Sequence, residues 1–268
     1  MPGVLLVGAE YKAAPLSVRK ALPVSRAEMG SVLNLISSSP RVHEVFLIST
    51  DSQTEVYLRG HSSALEDIWS FWQERAGVSL EVLTSTLYEK RDTEAVYHLY
   101  ALGSGLGLRC TGATDTLGLI KESLSAAREA GTVGGYLDAL LDRALKIGRR
   151  VRRQAGPAPD SAQAEQAHET MRKEAANFIR WARSRRAAKA IHAMRQRAEE
   201  IRQAELAKVE SKLRLLSAQE REALEALTLS IVNKLLHPSK KALREAAGLG
   251  DASDYLQAAA ELFDLDDP

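Results

Sequence analysis

Apolar and polar positions fall into short blocks along the first ninety residues. Val4-Leu5-Leu6-Val7, flanked by Gly3 and Gly8, predicts a short buried strand. A loop over Ala9 to Arg19 follows, with Pro15 stopping the strand and Ser17 placed to cap a short helix into Arg19 and Lys20. Ser25, with Glu28 three residues later, forms a capping box for a helix whose apolar face is Met29, Val32, Leu33 and Ile36. The run Ser37-Ser38-Ser39-Pro40 ends that helix. Val45 to Ile48 and Val56 to Leu58 predict two more strands, and the polar stretch between them reads as a strand-end loop or tight crossover. Strand, helix, strand, strand suggests a small α/β layer.

Beyond this point the period becomes helical. Leu65, Ile68, Trp69 and Trp72 mark a helix over 63–76, and Leu83 to Tyr88 is the candidate edge strand. Residues 93–102, 116–130 and 133–155 read as helices. The glycines of Gly103-Ser104-Gly105-Leu106-Gly107 follow no strand and lack the lysine of a phosphate loop, so close helix packing or a substrate-hugging turn explains them better. Gly156-Pro157-Ala158-Pro159-Asp160-Ser161 is the clearest boundary, because glycine and proline stop one helix and Ser161 can start another. Residues 162–216 contain neither proline nor glycine, which predicts one long helix or a pair. Ser217 and Glu220 form a second capping box, opening a helix through Leu224, Leu227, Ile231, Leu235 and Leu236 that should stop at Pro238. A last amphipathic helix spans 253–263. Long amphipathic rods rarely bury themselves alone, so dimerisation is expected.

Composition narrows this picture modestly. The 268 residues suffice for two domains, and 45% hydrophobic with 26% charged residues is ordinary for a globular protein. With a net charge of +1, any nucleic-acid surface must be local. One cysteine, Cys110, excludes an intrachain disulfide or a multi-cysteine metal site. Val4 to Val7 is too short for a signal core and no stretch approaches a membrane span, so a cytoplasmic protein with no membrane partner is expected.

Four stretches together resemble the glutamyl-tRNA reductase family. Lys12-Ala13-Ala14-Pro15 resembles its N-terminal Lys-x-Ala-Pro loop, and Ser49 to Tyr57 resembles its Ser-Thr-Cys-Asn-Arg-Thr-Glu-x-Tyr active-site loop. His98 to Arg152 is similar to the helical part of its catalytic domain, with Gly131-Thr132-Val133-Gly134 and Gly148-Arg149-Arg150-Val151-Arg152. Phe178 to Trp181 and Leu227 to Arg244, the latter with Ile231-Val232-Asn233-Lys234-Leu235-Leu236-His237-Pro238, resemble its dimerisation domain. The resemblance implies an α+β protein. A small mixed α/β catalytic-like domain (1–155) is followed by a linker (156–161) and then by a helical spine with an all-α dimerisation domain (162–268).

The departures shape the functional expectation. The family's cysteine nucleophile is Asp51 here, and a carboxylate is a poor nucleophile toward an ester. The flanking Asn and Arg are Ser52 and Gln53, which removes a cationic grip on a carboxylate substrate. The family's histidine in the first loop is Tyr11, and its Glu and Gln residues near Gly112 appear as Ala113, Asp115 and Leu119. The family also places a nicotinamide-binding domain between catalytic domain and spine. Here no Gly-x-Gly-x-x-Gly follows a strand, and the linker leads straight into the spine, so no NADPH site is expected.

Thr50, Thr54, Glu55, His98, Lys12, Pro15 and Arg19 remain, as do basic residues at Arg149, Arg150, Arg152 and Arg153. The resemblance gives His98 a general-acid role; its plain alternative is a satisfied, partly buried histidine. The expected function is non-reductive: binding of an aminoacyl-tRNA and transfer of its aminoacyl group to a small-molecule amine or hydroxyl. Asp51 or His98 would take the proton. Tyr11, Lys12, Thr50, Ser52, Gln53, Thr54 and Glu55 would line the substrate site, and Arg149, Arg150, Arg152 and Arg153 would hold RNA phosphates. Arg180, Arg183, Arg185, Arg186 and Lys189 form a second basic cluster that reads equally as a solvated helix face. No cofactor or metal is expected, and a homodimer is. The alternative is a haem- or tetrapyrrole-binding or regulatory pseudoenzyme, with His98, His192, His237, Tyr11 or Cys110 as candidate axial ligands.

Overall fold

The computed structural model describes residues 3–10, 16–50, 53–61, 63–106, 115–156, 159–249 and 252–265. Tyr11, Lys12, Pro15, Asp51, Ser52, Cys110, Gly112 and Ala113 lie outside them. The chain divides into two units, 1–179 and 180–268.

In the first unit, β1 (Leu5–Glu10), β2 (Val42–Ser49), β3 (Gln53–Gly60) and β4 (Leu87–Arg91) form one sheet in the order β2-β3-β1-β4. Every pairing is antiparallel. The helices are α1 (Leu16–Ala21), α2 (Arg26–Ser37), α3 (Ala64–Ala76), α4 (Leu80–Thr84), α5 (Thr93–Ser104), α6 (Thr116–Glu129) and α7 (Gly135–Ala155). Contacts of α2, α6 and α7 with β2, and of α5 with β4, cover the sheet. Val4 to Val7, Val45 to Ile48 and Val56 to Leu58 are almost completely buried, as their apolar runs predict.

The expected elements are present with four corrections. The polar stretch after Ile48 is not a loop throughout, because β2 reaches Ser49 and β3 starts at Gln53. The edge strand lies at Leu87–Arg91, four residues later than expected. Ser79 caps α4 through the Val82 amide, which uses the Leu83 region as helix, and pairing with β1 sets the register of β4. Ser17 sits inside the first turn of α1 and caps nothing. The fourth correction concerns the second unit and follows below. The Ser25–Glu28 box forms as expected, with the Glu28 carboxylate accepting from Ser25 N at 3.1 Å and Ser25 Oγ at 2.7 Å.

Two long-range contacts lock the helices onto the sheet. Glu44 of β2 is buried, and its carboxylate accepts from the amides of Gly134 at 2.9 Å and Leu137 at 2.7 Å, with Tyr136 at 3.3 Å. It thus caps α7 from another element, where the helix dipole favours a negative charge. Arg59 supplies its counter-charge at 3.3 Å. Gly103 of α5 and Gly148 of α7 let these helices touch, since a Cβ on Gly148 would stand 2.6 Å from the Gly103 carbonyl oxygen. Close helix packing is therefore what the glycine-dense end of α5 provides.

α8 (Ser161–Lys208) carries the chain from the first unit into the second, followed by α9 (Glu210–Leu213), α10 (Ala218–Leu249) and α11 (Ser253–Phe263). The second unit's core joins Ala187, Ala190, Ile191 and Met194 of α8 to Leu236, Leu243 and Ala246 of α10, with Leu256 of α11. α10 opens with the Ser217–Glu220 box, whose carboxylate accepts from Ser217 N at 2.8 Å and Ser217 Oγ at 2.7 Å. It runs on through Pro238, against expectation. A proline inside a helix costs about 3 kcal/mol. Leu243, Ala246 and Ala247 beyond it are buried in this core, and their burial offsets that cost.

Glu44→Ala leaves three amides at the start of α7 without their acceptor and Arg59 without its partner. It is expected to destabilise the chain by about 3 kcal/mol, with Glu44→Gln losing less, as read from urea unfolding midpoints.

Candidate functional site

The site grows from strand parity. Gln53, Glu55 and Tyr57 alternate along β3 and share one face. Glu55 is fully buried, which a carboxylate tolerates only with partners. Three strong donors surround it. Tyr57 Oη donates to Oε2 at 2.8 Å, Tyr88 Oη donates to Oε1 at 2.7 Å, and His98 Nε2 lies 2.7 Å from Oε1. The Gln53 amide adds a longer contact of 3.4 Å.

Each partner arrives for a local reason. Tyr57 stacks on its cross-strand neighbour Phe46 with ring centres 4.6 Å apart, which fixes its ring. Gly8 of β1 pairs with Glu55 on one side and with Tyr88 of β4 on the other. A side chain at position 8 would overlap the Tyr88 ring, so the glycine opens the path by which Tyr88 reaches across β1 to Glu55. His98 comes from α5, whose Ala95, Val96, Leu99 and Tyr100 are buried.

Burial alone would push the Glu55 carboxyl up. The hydrogen bond and charge of His98, with the hydrogen bonds of Tyr88 and Tyr57, outweigh it and hold the carboxyl below its ordinary value. The Tyr57 phenol is pushed well above its usual value by burial and by the Glu55 charge, so it remains a donor. An ionised Glu55 accepts only, so Nε2 of His98 must carry a proton. Nδ1 is then the nitrogen left to accept, and no described residue bonds to it. The His98 side chain is 19% exposed, which leaves the ring accessible. The arrangement is a carboxylate-oriented imidazole able to take and return a proton.

The remaining expected site residues divide into groups. Thr50 and Gln53 close the hairpin: Thr50 N donates to Gln53 O at 2.8 Å, and Gln53 N donates to Thr50 Oγ1 at 3.1 Å. Thr54 is buried, with its hydroxyl donating to Leu22 O at 3.1 Å, and Ser49 Oγ accepts from Val24 N at 2.9 Å. These two therefore anchor the hairpin to the segment before α2. Asp51, Ser52, Tyr11 and Lys12 lie outside the described residues. A cavity of about 380 Å³ opens beside Ser49, bordered by Arg26 and Asn34 of α2 and by Glu122, Ser123 and Glu129 of α6.

The basic residues of α7 do not act as one patch. Arg150 pairs with Glu174 at 2.6 Å, and Arg152 bonds to Ser104 O, Thr116 Oγ1 and, at 3.8 Å, Asp115. Only Arg149 and Arg153 of the four are exposed without an ion pair among the described residues. Of the candidate haem ligands, His98 is engaged by Glu55, His192 and His237 are exposed on the second unit, and Tyr11 and Cys110 lie outside the described residues. No group of three or more metal-ligating side chains occurs among the described residues. No helix among them is long and apolar enough to cross a membrane. Sequence reasoning missed Tyr57, Tyr88 and Gly8 as parts of the site. The signal for Tyr57 was the alternation Gln53, Glu55, Tyr57, which a strand turns to one face.

Residues 7–155 match the family described as glutamyl-tRNAGlu reductase, N-terminal domain, and residues 166–265 match its dimerisation domain. The chain belongs to the glutamyl-tRNA reductase family. Glutamyl-tRNA reductase of Desulforudis audaxviator is 34% identical over 154 residues, which cover 57% of this chain and 34% of that protein. That of Salinispora tropica is 34% identical over 155 residues, with the same coverage. The chain thus spans about a third of the length of the curated relatives it matches. Glutamyl-tRNA reductase from Methanopyrus kandleri shares the fold, with a TM-score of 0.59 at 14% identity over 93% of this chain and 100% of that chain. Within this family only residues 156–165 separate the two matched segments of this chain.

Because the Glu55 carboxyl is held below its ordinary value of 4.5, its stabilisation is complete above that pH and fades as pH falls through the lowered value. Glu55→Gln is expected to cost about 2 kcal/mol at pH 7. The deficit should shrink steadily below pH 4.5 in urea unfolding series.

Proposed function

We propose that this chain is a non-reductive member of the family that holds an aminoacyl-tRNA and passes the aminoacyl group to a small-molecule amine or hydroxyl. The observation that carries the reading is the intact Glu55–His98 pair, with Asp51, four residues before Glu55 in the chain, standing at the family's nucleophile position. Acid–base machinery without a thiolate suits direct transfer. The acceptor nitrogen or oxygen attacks the ester carbonyl carbon and the carbon–oxygen bond to the tRNA ribose breaks. The acceptor's proton passes to Nδ1 of His98 and from there to the departing ribose oxygen. Glu55 holds the ring and stabilises the imidazolium between the two transfers.

The close succession of the two family segments supports loss of hydride chemistry, because the resemblance places the nicotinamide-binding domain between them. We also propose a homodimer through the C-terminal helices. Leu227, Ile231 and Leu235 form a stripe at helical spacing on α10 and are 58%, 49% and 73% exposed in the single chain.

The test uses mixed labelled aminoacyl-tRNAs with hydroxylamine as a surrogate amine acceptor. The expected outcome is hydroxamate formation from at least one charged tRNA above the uncatalysed rate, lowered about 10²–10⁴-fold in His98→Ala. A rate equal to uncatalysed aminolysis for every charged tRNA would sink the reading. Asp51→Cys is expected to yield a labelled acyl-enzyme, and its absence would mean the pocket no longer positions the ester.

A further inference from the structure

The second unit contains a cationic cavity that the transfer chemistry does not use. From Arg180 to Arg197, α8 carries seven Lys or Arg residues and no Asp or Glu. Elsewhere cations of this helix sit beside acids one turn away: Arg172 lies 3.8 Å from Glu169, Lys173 lies 3.3 Å from Glu169, and Arg202 lies 2.6 Å from Glu199. Such i,i+3 and i,i+4 spacing is how a solvated helix face usually neutralises itself. From Arg180 to Arg195 the helix itself offers no acid, and Arg197 is the first to meet one, Glu200 at 3.5 Å.

Arg195 of this stretch and Arg244 of α10 meet at one place. Between α8 and α10 lies a cavity of about 470 Å³. Ala187, Ile191 and Ala247 form its apolar floor, and His192, Arg195 and Arg244 stand around it. None of these three has an ion pair or hydrogen bond with a described residue. Lys240 of α10 belongs to the same field. Its ammonium is held below the ordinary lysine value, first by burial and then by the charges of Arg195 and Arg244. Repulsion between cations around a concave surface is relieved by an anion, and the guanidinium fork matches phosphate oxygens in pairs.

We propose that this cavity binds a phosphate group, gripped by Arg195 and Arg244, with His192 and Lys240 at its edge. The apolar floor receives the carbon skeleton that carries the phosphate. The phosphate comes either from an RNA backbone or from a small phosphate ester, and the two sources separate experimentally. The site rests on the second unit alone and stands or falls independently of acyl transfer.

The test compares the full chain with Arg195→Gln/Arg244→Gln, and with Lys121→Gln/Lys212→Gln, two exposed lysines, as a control carrying the same change in net charge. Far-UV circular dichroism and molar mass in solution establish that each variant folds and associates as the parent does. Two readouts follow: the thermal shift given by inorganic phosphate at constant ionic strength, and the salt dependence of binding to uncharged mixed tRNA. Phosphate is expected to raise the melting temperature of the parent and the control by several degrees, and to leave the Arg195/Arg244 variant unmoved. If RNA is the source, that variant also loses about 1 from the slope of log K against log salt, at about 0.9 per phosphate contact. Loss of the thermal shift with an unchanged RNA slope assigns the site to a small phosphate ester. A variant indistinguishable from the parent in both readouts overturns the proposal.

Discussion

A carboxylate with no access to water has to be answered from within the protein, and Glu55 sets that demand at the centre of the first unit. Its answer draws on two strands and a helix: Tyr57 from its own strand, Tyr88 from the far side of the neighbouring strand, and His98 from α5. The requirement reaches into the sequence at Gly8, whose missing side chain lets Tyr88 cross β1. Removing any one donor leaves buried charge uncompensated, which costs more than the lost hydrogen bond itself. The same demand fixes the chemistry, because an ionised Glu55 dictates which nitrogen of His98 bears the proton.

This explains why the site outlasts the changes at its rim. Asp51, Ser52 and Gln53 stand where the family pattern has Cys, Asn and Arg, whereas Thr50, Thr54, Glu55, Tyr57 and His98 persist. Among the persistent residues, Thr54 is tied to Leu22, Thr50 closes the hairpin, and Glu55 binds His98.

What was legible in the sequence followed the range of the interactions. The two capping boxes, Ser25 with Glu28 and Ser217 with Glu220, formed as read because both partners lie within one turn. The last helix also has the expected limits. Gln53 to Glu55 was misread as loop because a polar run looks solvated until its partners, dozens of residues away, are known. Glu44 gave no local sign that it caps α7 some ninety residues later. Pro238 stops a helix by local rules, yet the core beyond it carries α10 onward. Family membership was readable because spaced motifs survive where single contacts cannot be inferred. Arg150 and Arg152 looked like phosphate ligands and are engaged within the fold, whereas Arg195 and Arg244, far apart in sequence, surround one cavity.

The most direct test of the account is the protonation pattern of the His98 ring, read by 15N nuclear magnetic resonance of histidine-labelled protein at pH 8. The account predicts a ring with its proton on Nε2, shared with Glu55, and an unprotonated Nδ1; in Glu55→Gln that preference should weaken. A proton found on Nδ1 with Nε2 bare would contradict it, since Glu55 would then not be the ionised acceptor that orients the site.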